Sequence, residues 1–67
     1  MTPKQKATQL LNKFMPLVEA YSPDGQKANA KECCIILIDE VIDNIEDDYF
    51  MNEHYYWNEV KNEIINL

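Results

Sequence analysis

Apolar residues in the first stretch of the chain recur every three or four positions. Ala7, Leu10, Leu11, Phe14, Val18 and Tyr21 fall in one arc with Leu17, and Met15 flanks it, when successive residues are turned by about 100°. The segment opens with Thr2-Pro3-Lys4-Gln5, which reads as an N-cap, a proline at the first helical position and a T-x-x-Q capping box. A helix is therefore predicted over residues 3–20. Pro16 lies inside it and removes the hydrogen bond to the Asn12 carbonyl, so a kink or break is expected near Met15. Tyr21-Ser22-Pro23-Asp24-Gly25 has the chemistry of a turn.

A second helix is predicted over residues 26–46, with Ala30, Cys33, Cys34, Leu37, Ile38, Val41 and Ile45 as its inward stripe. Taken alone, Cys33 to Ile38 also reads as a buried strand. The stripe continues at helical spacing on both sides, however, and the chain offers no partner strand. On this reading Leu37 is central, and Leu37→Ala is expected to cost about 2–5 kcal/mol. Residues 47–52 form a connector, with Asp48 or Asn52 as the next N-cap. A third helix is predicted over residues 53–66, with Tyr56, Trp57, Val60, Ile64 and Leu67 on its inner face. Three amphipathic segments joined by short connectors predict an all-α protein, a compact three-helix bundle of one domain. One Gly and three Pro in 67 residues leave too few turns for a many-stranded sheet, and the length excludes doubly wound sheets and barrels.

Charge adds a polarity that the hydrophobic pattern does not show. The net charge is −6, from 12 acidic residues against 6 basic ones. All six basic residues are lysines. Residues 1–31 hold five of them against Glu19 and Asp24, while residues 32–67 hold Lys61 alone against all the remaining acids. Sequence-specific DNA readers rely on arginine, whose planar guanidinium pairs bidentately with phosphate and guanine, so direct sequence-specific DNA binding is not expected. The longest apolar run, Cys33 to Ile38, is far short of the roughly 20 residues of a membrane span, and residues 1–4 lack a signal-like apolar core. No membrane association is expected, and the expected location is the cytoplasm.

Few residues here carry catalytic chemistry. Adjacent helical positions cannot close a strain-free disulfide, so Cys33 and Cys34 read as reduced core thiols, and with His54 they are too few for a closed zinc site. Counted as a calcium loop from Asp43, the third position is Ile45 and the sixth Asp48, which fails the required spacing. The chain has no Gly-rich phosphate loop, nucleophile elbow or H-E-x-x-H helix. The sequence therefore predicts a non-enzymatic protein with no catalytic residues, cofactor or metal.

The acids themselves are the strongest candidate feature. Glu32, Asp39, Glu40, Asp43, Glu46 and Asp47 project to one side of the second helix. Ile36 sits among them, with Glu32, Asp39, Glu40 and Asp43 at i−4, i+3, i+4 and i+7. An apolar centre with a charged rim has the anatomy of a small interface. An acidic surface also steers a basic partner over a Debye length of about 8 Å. The bland alternative is a solvated face that keeps a small protein in solution. Ile35 and Ile42 on the opposite flank make this helix apolar around more than half its circumference, which raises self-association as a possibility. Among the crowded aromatics, Phe50, Tyr56 and Trp57 are expected in the core, with Tyr49 and Tyr55 more exposed. Asn58, Asn62 and Asn66 at four-residue spacing form a possible hydrogen-bonding ladder, or no more than compositional bias.

Three segments carry a likeness: Lys6-Ala7 to Lys13-Phe14, Ala30-Lys31-Glu32-Cys33 with Asp39-Glu40-Val41-Ile42, and Tyr56 to Ile64. In these the chain resembles short helical proteins encoded by phages and prophages of Bacteroidota. The resemblance brings no activity or site residue with it. It implies a context of small accessory genes, many of which block host defences by binding. The expected function is inhibition of a host defence complex such as an RNA-guided CRISPR nuclease, a protein or ribonucleoprotein with a basic surface. The alternatives are a structural or regulatory homo-oligomer and a small regulator of a host nucleic-acid-handling protein.

Overall fold

The computed structural model describes residues 1–18, 21–45 and 52–67. Three helices, α1 (Pro3–Phe14), α2 (Pro23–Asp43) and α3 (Asn52–Asn66), pack pairwise against one another, with no strand among the described residues. The protein is an all-α three-helix bundle.

The start of α1 is set by the predicted capping box. The Gln5 N–H donates to Thr2 Oγ1 at 3.2 Å, and the Thr2 N–H donates to Gln5 Oε1 at 2.9 Å. Two backbone donors that the helix leaves unpaired are thus satisfied reciprocally. The other end corrects the predicted 3–20 extent, and of the kink or break expected near Met15 it is the break that occurs. Pro16 ends α1 instead of bending it: the α-helix stops at Phe14, Met15–Leu17 form a 3-10 turn, and Val18 is extended. Leu17, expected on the inward arc, is therefore 76% exposed, and Tyr21 is fully exposed. Wheel geometry has no meaning past the residue where the helix stops.

The second helix starts earlier and ends earlier than the predicted 26–46. Ser22 is its N-cap, its hydroxyl accepting from the Gly25 N–H at 3.1 Å, and Pro23 takes the first helical position. The Ser-Pro pair read as a turn is a helix start of the same kind as Thr2-Pro3. At the other end the Asn44 N–H is shared between the carbonyls of Glu40 and Val41, each at 3.2 Å. The Asn44 side-chain amide also donates to the Glu40 carbonyl at 2.7 Å. Two acids, Glu40 and Asp43, close to the negative end of the helix dipole oppose its extension. The third helix begins one residue before the predicted 53, at Asn52. Glu46, Asp47, Asp48, Tyr49 and Phe50 lie outside the described residues.

Contacts between helices define an up-down-up arrangement. Gln26 donates from its side-chain amide to the Met15 carbonyl, joining the end of α1 to the start of α2. Lys27 donates to the Leu67 carbonyl, Lys31 to the Ile65 carbonyl at 3.4 Å, and Lys61 pairs with Asp39 at 2.9 Å. As numbers rise along α2 they fall along α3, so the two run antiparallel. Lys27 and Lys31 also supply, from a neighbouring helix, the cations that favour the negative C-terminal end of α3. Two lysines of the basic half thus serve the fold.

The core is one cluster formed by Ala7, Leu10 and Leu11 of α1, Ala30, Cys34 and Ile38 of α2, and Val60 and Ile64 of α3. Tyr56, Trp57 and Leu67 pack against it as expected, with the two rings edge to face at 5.5 Å. Tyr55 is exposed, also as expected. The inward stripe of α2 differs from the predicted one. It follows Ala30, Cys34 and Ile38, supported by Ile35 and Ile42, while Leu37 is 38% exposed and Cys33 half-buried. With apolar residues on nearly every side of α2, the positions of α1 and α3 decide which of them are covered.

Candidate acidic interface on helix α2

The outward side of α2 carries the predicted constellation. Ile36 is 65% exposed, and Glu32, Asp39, Glu40 and Asp43 around it are all exposed. Helical spacing places the four carboxylates within one turn or two of the isoleucine, forming a rim around an apolar centre. Glu46 and Asp47, assigned to the same face, lie outside the described residues.

The four acids are not equivalent. Asp39 accepts from the Lys61 ammonium across the α2–α3 contact, and both side chains are substantially solvent-exposed. Such a pair contributes little to stability, typically under about 1 kcal/mol, but it neutralises much of the Asp39 charge. The effective rim is therefore Glu32, Glu40 and Asp43, all exposed. The first turn of α2 holds Asp24, and its last turn holds no basic residue. Asp39, Glu40 and Asp43 thus lie in the half of α2 where acids oppose the dipole, and Asp39 with Asp43 and Glu40 with its neighbours repel one another. The arrangement costs helix stability.

The two cysteines part company here. Cys34 is fully buried, and burial, followed by the neighbouring Cys33 thiol, pushes its pKa up. A neutral buried thiol is poorly nucleophilic. Cys33 is half-buried on the flank between Ile36 and Leu37. Under native conditions a maleimide is expected to label Cys33 first, with Cys34 reacting only as fast as the bundle opens; equal rates would contradict the core assignment. The sign of the pH effect follows. The unfolded chain loses the Cys34 proton more readily than the folded one, so this thiol's contribution is intact below its ordinary pKa of 9.0 and is lost as pH rises beyond it.

Among the described residues no group of three or more His, Cys, Asp and Glu side chains is placed to hold a metal ion, and no helix is long and apolar enough to cross a membrane. No protein-family model, curated protein or solved structure matches the chain.

Proposed function

We propose that this is a non-enzymatic binding protein that lays the acidic face of α2 on a basic surface of a partner protein. The observation that carries the reading is Ile36, exposed at the centre of Glu32, Asp39, Glu40 and Asp43. A single exposed isoleucine is ordinary, but this one is ringed by four carboxylates, and acids near the C-terminal end of a helix oppose its dipole. A partner that neutralises the rim relieves that conflict and buries Ile36 in the same contact.

The partner class that fits best is a protein whose phosphate-binding channel is lined by lysine and arginine. An RNA-guided CRISPR nuclease is the example we favour: its channel holds a nucleic-acid backbone, and a carboxylate array offers it a competing anionic surface. The homo-oligomer alternative draws on the adjacent exposure of Ile36 and Leu37. The rim opposes it, because two copies meeting through this face would bring like charges together.

The test is capture from a host lysate treated with nuclease. Direct protein contact predicts that the same basic protein is retained with and without nuclease. Loss of the captured protein after nuclease treatment means that RNA bridges the two, and it contradicts this reading in favour of the lysines of residues 4–31.

A further inference from the structure

The outward face of α3 is unlike that of α2. From Tyr55 to Asn66 the exposed residues are Tyr55, Asn58, Asn62, Ile65 and Asn66, and none of them is charged. The charged residues of this stretch, Glu59, Lys61 and Glu63, are half-buried. On a chain of net charge −6 this is a neutral strip. It also leaves two large side chains mostly in solvent, Tyr55 at 70% exposed and Ile65 at 54%.

The strip has the spacing of a coiled-coil seam. Tyr55, Asn58, Asn62 and Ile65 stand at i, i+3, i+7 and i+10, the a and d positions of a heptad. Val60, fully buried, takes the opposite f position. The seam therefore points away from the core, and a second helix laid along it runs for about 15 Å.

The occupant that fits is a second copy of this chain. A strongly charged partner finds no counter-charge on the strip, whereas two copies meet along it without opposing their carboxylates. With the two α3 helices parallel about a two-fold axis, each seam residue meets its own copy. An asparagine amide both donates and accepts, so Asn58 and Asn62 complement themselves across the axis. An asparagine at an a position also specifies register and oligomer state. Antiparallel pairing would set Lys61 against Lys61 and Glu59 against Glu59. In the parallel pair Lys61 faces Asn66 of the second copy and Glu59 faces its His54, so no like charges oppose.

We infer that the protein pairs with a second copy through a parallel α3–α3 seam of Tyr55, Asn58, Asn62 and Ile65. The seam uses no residue of α2, so the inference stands apart from the proposed function. Pairing brings two acidic faces into one particle. A contact of this length buries less than the roughly 800 Å² per partner of a standard interface, so half-association is expected at about 100 μM.

Sedimentation equilibrium from about 10 μM to about 1 mM is expected to show monomer passing into dimer. Amide shifts of the ¹⁵N-labelled chain are expected to move with concentration at Tyr55, Asn58, Asn62 and Ile65 and to stay fixed at Glu32 and Ile36. Asn62→Lys puts like charges across the axis and is expected to weaken pairing about tenfold or more. Asn12→Lys, the same change at an exposed position of α1, is expected to weaken it by less than about twofold. Orientation is read from Ile65→Cys in a Cys33→Ser chain, which is expected to form a disulfide-linked dimer in air because position 65 meets its own copy. A monomer throughout the range, equal effects of the two lysine substitutions, shifts centred on Ile36, or no cross-link at position 65 each overturn the inference. None of these results alters the capture of a basic partner by α2.

Discussion

Ile38→Ala is expected to unfold the bundle at 37 °C. Ile38 is among the largest fully buried side chains and joins the core cluster shared by the three helices. Truncating a buried isoleucine to alanine costs about 2–5 kcal/mol in transfer free energy and residual cavity. A core in a chain of this length supplies about 3–5 kcal/mol in all. The single change is therefore comparable with the whole stability. Leu37, the neighbouring residue that helical periodicity had placed in the core, gives the contrast. At 38% exposed it loses much less on truncation, about 1 kcal/mol, and Leu37→Ala is expected to remain folded. Urea denaturation followed by circular dichroism at 222 nm checks the pair. The reverse ranking would mean that α2 is rotated about its axis from the orientation described here.

The second large effect is on binding. Replacing Glu32, Glu40 and Asp43 together by lysine is expected to weaken the partner complex by about a hundredfold or more, because steering and rim contacts both change sign. Asp39 is left in place, since its link to Lys61 would mix a change in the α2–α3 contact into the result. Helicity is expected to be kept or slightly raised, since removing acids from the C-terminal half of α2 relieves their conflict with the dipole. Loss of binding together with loss of helicity would therefore contradict the prediction as firmly as unchanged binding.

What could be seen in the sequence follows the range of the interactions concerned. The capping box of Thr2 and Gln5 is a contact over three residues and forms as predicted. Pro16 was visible as an interruption, but whether a helix bends or stops depends on what the chain does next, and Val18 turns extended. Ser22-Pro23 resembles both a turn and a helix start, and only the hydrogen bond to Gly25 separates them. In α2 the periodicity had no single answer. Apolar residues surround the helix, so the choice of Ile38 over Leu37 is made by the packing of α1 and α3.

The site divides in the same way. The ring around Ile36 lies on one helix and follows from spacing alone. The neutralisation of Asp39 depends on the register between α2 and α3, which the sequence leaves open.

The central claim is that the acidic face of α2, and not the lysine-bearing first half, meets the partner. The most direct measurement compares the affinity of the captured partner for three proteins: the native chain, the Glu32, Glu40 and Asp43 lysine variant, and a chain with Lys4, Lys6 and Lys13 replaced by glutamate. The account predicts that affinity collapses in the first variant and is retained in the second. Collapse in the lysine-to-glutamate chain with affinity preserved in the other would contradict it and move the interface to α1.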